Sequence, residues 1–186
     1  LFCTREAQKK FYLWIMKNKL LVVGTMAYDA IETPFDKVDR ILGGAATYIA
    51  LASSKFDIDC GLVSVIGDDF EDSYRGHLFE AGVNCDYVAI SPNSPISARC
   101  TIISDDHGNQ ITGFYPGDAG FETRRLPSQL PNIGEIDLAH LGPEAPDLML
   151  RQAIDLHQMG IPFIFDPGQW VSKFIQDDLQ DLLGRA

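Results

Sequence analysis

Short apolar runs alternate along the chain with stretches in which apolar residues recur at helical spacing. The helical stretches cover 45–56, 70–81, 147–159 and 173–183, and Gly82 and Gly160 follow two of them as carboxyl-terminal caps. The apolar runs are rich in Val, Ile, Leu and Phe, as expected of strands buried on both faces, and cover 20–24, 61–66, 87–90, 136–141 and 162–165. This alternation predicts an α/β fold with a parallel, helix-covered sheet.

One region interrupts the alternation and predicts an antiparallel hairpin. The β-rich stretches "ISARCTIIS" and "QITGFYP" flank "DDHGN", whose Asp, Gly and Asn are suited to a turn. A second irregular segment lies between the first strand and a pair of glycines. We expect the two segments, near 31–42 and 96–116, to pair as a small β lid outside the main sheet.

Two glycines, Gly43 and Gly44, stand directly before the helical stretch "AATYIALASSKF". Such a pair either permits a tight turn or lets backbone N–H groups at a helix start approach a ligand. In open α/β sheets, ligands bind beyond the carboxyl ends of the strands, and Asp29 follows the first strand. Its carboxylate could accept two hydroxyl hydrogen bonds from a polyol, and the alternative is an Asp that caps a turn.

Other carboxylates follow later strands. Asp68 and Asp69 come immediately before a helical stretch, where Asp is a favoured cap, so the structural interpretation is preferred for both. Asp166 ends "IPFIFDPG" and could contact solvent, a ligand or its own backbone.

A few side chains near the lid are weaker candidates for ligand contact. Arg99 on the hairpin could reach a ligand under the lid, although a lone Arg on an exposed strand is usually solvated. Tyr48, Phe114 and Tyr115 could stack on a base or sugar ring, although aromatic residues more often pack in a core or hairpin.

Charge and composition exclude several classes of partner. Fifteen basic and twenty-six acidic residues give a formal charge of -11, which disfavours broad binding to nucleic acid or to an anionic membrane. The four cysteines lack any CxxC spacing and the histidines lack HExxH, so no metal site is predicted. Dispersed thiols and the lack of a long apolar run predict a cytoplasmic protein.

Five motifs follow one another in order along the chain: "LLVVGTMAYD", "LGGAATYIALA", "VSVIGDDF", the hairpin and "GIPFIFDPGQ". Together they resemble the amino-terminal portion of ribokinase-like (phosphofructokinase-B, PfkB) carbohydrate and nucleoside kinases, and the resemblance runs from about residue 20 to 183. It implies a doubly wound, mostly parallel sheet with helices on both faces, incomplete here, plus a small antiparallel β lid. It also implies ATP-dependent phosphorylation of a sugar or nucleoside hydroxyl.

The resemblance assigns roles to individual residues. Asp29 matches the family's substrate-hydroxyl carboxylate, and Gly43 and Gly44 match its glycine pair, while Tyr48 stands where the family usually carries Asn. With Arg99, these residues form the predicted substrate-binding set. The hairpin looks most like adenosine-kinase-like members, which favours a nucleoside slightly over a free sugar.

The catalytic motif of such kinases, Gly-Ala-Gly-Asp, does not occur in the chain. "YPGDAG" around Asp118 has similar letters in the wrong order, and the Asn-x-x-Glu match at 132–135 is interpreted as accidental. No catalytic residue is therefore predicted, and the isolated chain is expected to be inactive. ATP and Mg belong to the full-length family protein, and neither is expected to bind this chain tightly.

The predicted organisation is a non-native or upstream extension over 1–15 and the amino-terminal part of a ribokinase-like kinase domain over 16–186. The main alternative is a non-catalytic small-molecule-binding or dimerisation protein that retains the fold. A nicotinamide-binding enzyme is disfavoured because "GTMAYD" lacks G-x-G-x-x-G. The predicted partners are a small sugar or nucleoside and a homodimer partner bound through the lid.

Overall fold

The computed structural model describes residues 19–56, 58–91, 95–117 and 125–186, so the predicted extension over 1–15 lies outside the described residues. Its main sheet is entirely parallel, and its strand order is β10-β9-β1-β4, with β5 and β6 both pairing with β4. The strands are β1 (Lys19–Val23), β4 (Asp59–Ile66), β5 (Val83–Asn84), β6 (Val88–Ile90), β9 (Leu138–Leu141) and β10 (Phe163–Phe165). The predicted α/β fold is confirmed.

Helices cover both faces of this sheet because its central strands carry apolar side chains on both faces. In β1, Leu21 and Val23 pack in one cluster, whereas Val22 packs in the cluster on the other face. The first cluster contains residues of α3 (Pro146–Gln158) and α4 (Gln176–Arg185), and the second those of α1 (Ala45–Ser54) and α2 (Asp72–Glu80). Within the ranges that the structure describes, no helix is both long and apolar enough to cross a bilayer.

The last predicted helix, over 173–183, proves to be two elements. A 3-10 helix covers Gly168–Lys173, and α4 begins only at Gln176. Phe174 and Ile175 adopt extended backbone angles between them, which ends the first element before the second begins.

The lid is a separate four-stranded sheet of order β3-β2-β7-β8. Its strands are β2 (Ala27–Glu32), β3 (Lys37–Gly43), β7 (Ala98–Ser104) and β8 (Gln110–Tyr115). The predicted hairpin, β7 and β8, is antiparallel. The segment expected only to pair with it also forms an antiparallel hairpin, β2 and β3, and the two hairpins join through the parallel pair β2 and β7. Asp105 fixes the predicted turn of the second hairpin, because its carboxylate accepts the N–H groups of His107 and Asn109 at 2.9 and 2.8 Å.

The order of the main sheet reverses at β1. The chain runs outward from β1 through β4 in one direction and returns to β9 on its other side, so α1 and α3 lie on opposite faces. In open parallel sheets, this arrangement leaves a crevice at the carboxyl ends of the two central strands, where ligands bind.

Candidate functional site

A cleft of about 440 Å³ lies at this crevice, within the size range of small-molecule sites. Its floor comes from segments that follow β1, β9 and β10, and its roof from the lid. The lining residues are Thr25, Ala27, Asp29, Gly44, Ala45, Tyr48, Cys100, Phe114, Pro143, Gly168, Gln169, Trp170 and Lys173. Two segments of the floor are linked to each other, because Thr25 Oγ1 donates to the Pro143 carbonyl at 3.3 Å.

Asp29 is the buried carboxylate of the cleft, with 8% of its surface exposed. It lies in strand β2 and caps no turn, so that alternative is excluded. Within the described ranges, no hydrogen bond or ion pair reaches its carboxylate. Burial raises the pKa of Asp29 above its ordinary value of 3.8. A largely buried carboxylate without a protein donor is costly unless water or a ligand in the cleft supplies the donors.

Gly43 makes room for that carboxylate. A Cβ atom at this position would lie within 3.0 Å of Cγ and both carboxylate oxygens of Asp29, closer than real Cβ atoms approach. The two residues are neighbours because β2 and β3 pair with Asp29 opposite Ile41, which sets Gly43 diagonally across from Asp29. Glycine at this position is therefore explained by the position of Asp29.

Gly44 has a different reason to be glycine. Its φ of 94° favours glycine, and a Cβ atom there would lie 2.8 Å from the Ala27 nitrogen and 2.9 Å from the Met26 Cα. It immediately precedes α1, and the next turn is fixed to the floor because Ala46 N–H donates to the Thr25 carbonyl at 3.3 Å. The amino end of α1, with its partial positive charge, thus borders the cleft beside Asp29.

Tyr48 lies on the first turns of α1 and lines the same cleft. Its hydroxyl donates to the Leu42 carbonyl at 3.0 Å, which fixes the ring beside the residue that precedes the glycine pair. Partial burial, together with the negative charge of Asp29, raises the pKa of Tyr48. The side chain can offer a ligand the face of its ring, whereas its proton is already donated.

Arg99 lies on the other face of the lid, although the sequence placed it in the substrate set. It is absent from the cleft lining, and its Nη2 binds Asp69 Oδ2 at 2.9 Å. Strand alternation explains this, because Arg99 pairs with Tyr28, whereas the next residue, Cys100, pairs with Asp29 and faces the cleft.

Asp69 anchors the lid and is not the helix cap that the sequence favoured, because the residue at the cap position of α2 is Glu71. Its carboxylate accepts Ser97 N–H at 2.7 Å, and its carbonyl accepts the Tyr28 hydroxyl at 3.1 Å and Arg40 Nη2 at 2.7 Å. Burial disfavours the charged form, but the hydrogen bonds from Ser97 and Arg99 outweigh it and lower the pKa of Asp69.

Sequence reasoning missed Trp170 and gave Phe114 little weight. Their rings meet across the cleft with centroids 6.3 Å apart, one from the segment after β10 and the other from β8 of the lid. Asp166 stabilises the turn before Trp170, because its carboxylate accepts the Gly168 N–H at 3.0 Å. Of the three contacts considered for Asp166, the structure thus shows the one with neighbouring backbone. "DPGQW" after an apolar run indicated a turn, but nothing local indicated what the tryptophan would meet.

The described residues that could hold a metal ion are Asp105, Asp106 and His107, in the exposed turn of the second lid hairpin. They lie outside the cleft lining, and Asp105 already accepts hydrogen bonds from its own turn. This cluster therefore does not place a metal beside Asp29. Asp118 lies outside the described residues.

Comparison with known proteins gives a consistent result. Residues 17–186 match the family described as pfkB family carbohydrate kinase. A nucleoside kinase of Methanothermobacter thermautotrophicus is 29% identical over 178 residues, which are 89% of this chain and 57% of that protein. An ATP-dependent ribose-1-phosphate kinase of Halopiger xanaduensis is 28% identical over 133 residues, 68% of this chain and 43% of that protein.

Solved structures agree in fold. The nucleoside kinase of Burkholderia thailandensis in complex with inosine superimposes with a TM-score of 0.78 at 30% identity, over 90% of this chain and 57% of that one. The nucleoside kinase of Methanocaldococcus jannaschii, an archaeal member of the ribokinase family, gives a TM-score of 0.74 at 24% identity, over 91% and 59%. The chain thus spans between 43% and 59% of the length of these relatives.

Proposed function

Because the chain belongs to the pfkB family of carbohydrate kinases, we propose that it carries the substrate-binding and lid part of an enzyme that transfers the γ-phosphoryl group of ATP to a hydroxyl of a sugar or nucleoside. The observation that supports this most directly is Asp29, a buried carboxylate in a cleft of substrate size, without a protein donor among the described residues.

The cleft offers complementary groups for a polyol. The Asp29 carboxylate can accept two hydroxyl hydrogen bonds, and such charge-assisted bonds are the stronger kind. Gly43 lets the carboxylate lie flat against the strand, and Gly44 brings the amino end of α1 to the same cleft. Binding by this carboxylate would hold the sugar ring in one orientation, which supplies part of the positioning that phosphoryl transfer requires in addition to charge stabilisation.

The groups that act on the phosphoryl donor are assigned to the rest of the enzyme. The chain has no Gly-Ala-Gly-Asp sequence, the motif that the resemblance associates with the catalytic base and an anion hole. We therefore assign ATP and magnesium binding to the full-length protein, with residues 16–186 as the amino-terminal part of its kinase domain. A homodimer formed through the lid and a cytoplasmic location stay predictions.

Calorimetric titration of the purified chain with ribose and with inosine tests the binding half of this proposal. The unmodified chain is expected to bind a ligand that carries ribose hydroxyls, and Asp29→Asn is expected to weaken that binding. Asp68→Asn is the matched control, because Asp68 is an exposed carboxylate outside the cleft lining. Equal affinity of the unmodified and Asp29→Asn chains would contradict the proposed site.

An ATP-dependent kinase assay tests the division of labour. The 186-residue chain is expected to give no turnover with ribose or inosine, whereas a chain extended by a segment bearing Gly-Ala-Gly-Asp is expected to be active. Robust turnover by the 186-residue chain would show that the catalytic groups were assigned to the wrong part of the protein.

A further inference from the structure

Three cleft residues lie side by side across the lid sheet. Asp29 on β2 pairs in register with Cys100 on β7, and Cys100 pairs in register with Phe114 on β8. In-register residues of neighbouring strands point to the same face of a sheet, and all three line the cleft. Two strand spacings, about 10 Å, therefore separate the Cα atoms of Asp29 and Phe114.

The far end of this row is closed by an aromatic residue of the main domain. The Trp170 ring meets the Phe114 ring at 6.3 Å between centroids, with the ring planes 85° apart. Trp170 is directed there by its turn, in which Trp170 N–H donates to the Pro167 carbonyl at 3.0 Å. The backbone of Gly168, with a φ of 49°, passes so close to Pro143 that a Cβ atom would collide with that ring.

This edge-to-face geometry determines how a flat ligand can bind. A ring inserted between two aromatic residues needs them nearly parallel and two stacking distances apart, and a pair 85° apart does not provide that. A planar ring system can instead lie against the pair and stack on one of the two faces. The cleft therefore has a hydroxyl-binding end at Asp29 and an aromatic wall, which we define as Phe114 and Trp170.

The charge of the lining separates two kinds of ribose ligand. Among the described residues, Lys173 is the one cation that lines the cleft, and its side chain is exposed. A phosphate on the sugar would need more donors than this, whereas an uncharged base needs an aromatic face. Base-to-aromatic stacking tolerates any base because every base has a π face.

We propose that the aromatic wall is the base-binding surface of the cleft and that the substrate class is a nucleoside, held by Asp29 at its sugar and by Phe114 and Trp170 at its base. This inference rests on the proposed function and adds the residues that select a nucleoside over a free sugar. Because Phe114 belongs to the lid and Trp170 to the main domain, a base on this wall contacts both parts of the molecule.

The test compares calorimetric dissociation constants of the full 186-residue chain for inosine, ribose and ribose 1-phosphate. The unmodified chain is expected to bind inosine most tightly. Trp170→Leu and Phe114→Leu are each expected to lower the ratio of the ribose to the inosine dissociation constant by about 5- to 140-fold, the measured range for one stacked base. Trp170→Phe keeps a ring and is expected to retain most of the preference.

Phe79→Leu is the matched control, since Phe79 is a 78% exposed aromatic residue of α2 outside the cleft. It is expected to leave the ratio unchanged. Thermal midpoints of all variants are measured beside the titrations, and an unchanged midpoint for Trp170→Leu with a lost preference would contradict a purely structural role for the ring.

A spectroscopic readout reports the contact directly. The chain has two tryptophans, Trp14 and Trp170, so Trp14→Phe leaves Trp170 as the only tryptophan. Inosine is expected to quench its fluorescence with the calorimetric dissociation constant, and ribose is expected to leave it unchanged. The same emission from free and inosine-saturated protein would overturn the assignment of Trp170.

The outcomes separate this inference from the proposed function. Equal affinities for ribose and inosine, both weakened by Asp29→Asn, would overturn the aromatic wall and leave the hydroxyl site standing. Tighter binding of ribose 1-phosphate than of inosine, lost in Lys173→Ala, would overturn the wall in favour of a phosphate subsite. Binding of none of the three ligands would contradict both.

Discussion

Replacing Gly43 by Ala would add one methyl group against the Asp29 carboxylate. The new Cβ atom would lie within 3.0 Å of Cγ and both carboxylate oxygens, so the side chain of Asp29 must rotate away. The backbone at Gly43 has no positive φ and can accept Ala. The substitution therefore moves the proposed hydroxyl-binding group without removing it.

The expected loss falls on binding more than on stability. Displacing a movable side-chain end by overpacking costs about 1–3 kcal/mol, and Gly to Ala at a permitted conformation regains about 0.4–1 kcal/mol. The free energy of unfolding should thus fall by no more than about 2.5 kcal/mol. Each lost hydroxyl bond to a carboxylate costs about 1.5–3 kcal/mol, which raises the dissociation constant about 10- to 140-fold.

A double-mutant cycle with Asp29→Ala tests whether Gly43 acts through Asp29 alone. Calorimetry gives the ligand dissociation constant, and thermal unfolding gives stability, for the unmodified chain, both single variants and the pair. In the Asp29→Ala background, Gly43→Ala should leave binding unchanged and should stabilise by about 0.4–1 kcal/mol, because the collision is gone. An equal loss of affinity in both backgrounds would refute this reasoning.

Four further predictions concern the same elements. Gly44→Ala should lower the free energy of unfolding by at least about 2 kcal/mol, because the new Cβ atom stands at a φ of 94° and collides with backbone atoms of the 25–27 segment. A thermal midpoint lowered by less than about 4 °C would count against this magnitude. The free energy of unfolding should fall as pH rises from 3.8 through the raised pKa of Asp29, because the folded state holds that proton more tightly than the unfolded state. Unfolding curves measured against pH should lose this component in Asp29→Asn, and an unaltered pH profile would argue against a buried, unpartnered carboxylate. Arg99→Ala should cost about 1 kcal/mol or less and leave ligand affinity unchanged, since its partly exposed pair with Asp69 lies on the other face of the lid, so a large loss of affinity would restore Arg99 to the site. Strand β10 is an edge of the main sheet and Ile164 on it is 48% exposed, so the chain should self-associate in sedimentation experiments, and Ile164→Lys should reduce the association. A clean monomer of the unmodified chain would disprove this prediction.

The candidate site was only partly predictable. Asp29 and the glycine pair could be found because position after a strand and before a helix is local information. Arg99 was expected in the substrate set but does not line the cleft, because the alternation of a strand defines two faces but does not say which one meets the ligand. A register shift of one residue exchanges the two faces of a strand. The observed pairing of β2 with β7 places Cys100, and not Arg99, on the face that lines the cleft.

The sequence by itself determined the alternation of the main strands and helices, the hairpin around the DDHGN turn, and the residues whose chemistry suits a polyol, because hydrophobic periodicity and turn composition act over a few residues. Only the tertiary structure decided that Gly43 yields space to Asp29, that Asp69 anchors the lid, and that Phe114 meets Trp170. Those relations join residues distant in the chain through strand register and the packing of one sheet over another. Register and sheet packing depend on contacts between distant segments, so neither can be read from a short stretch of sequence.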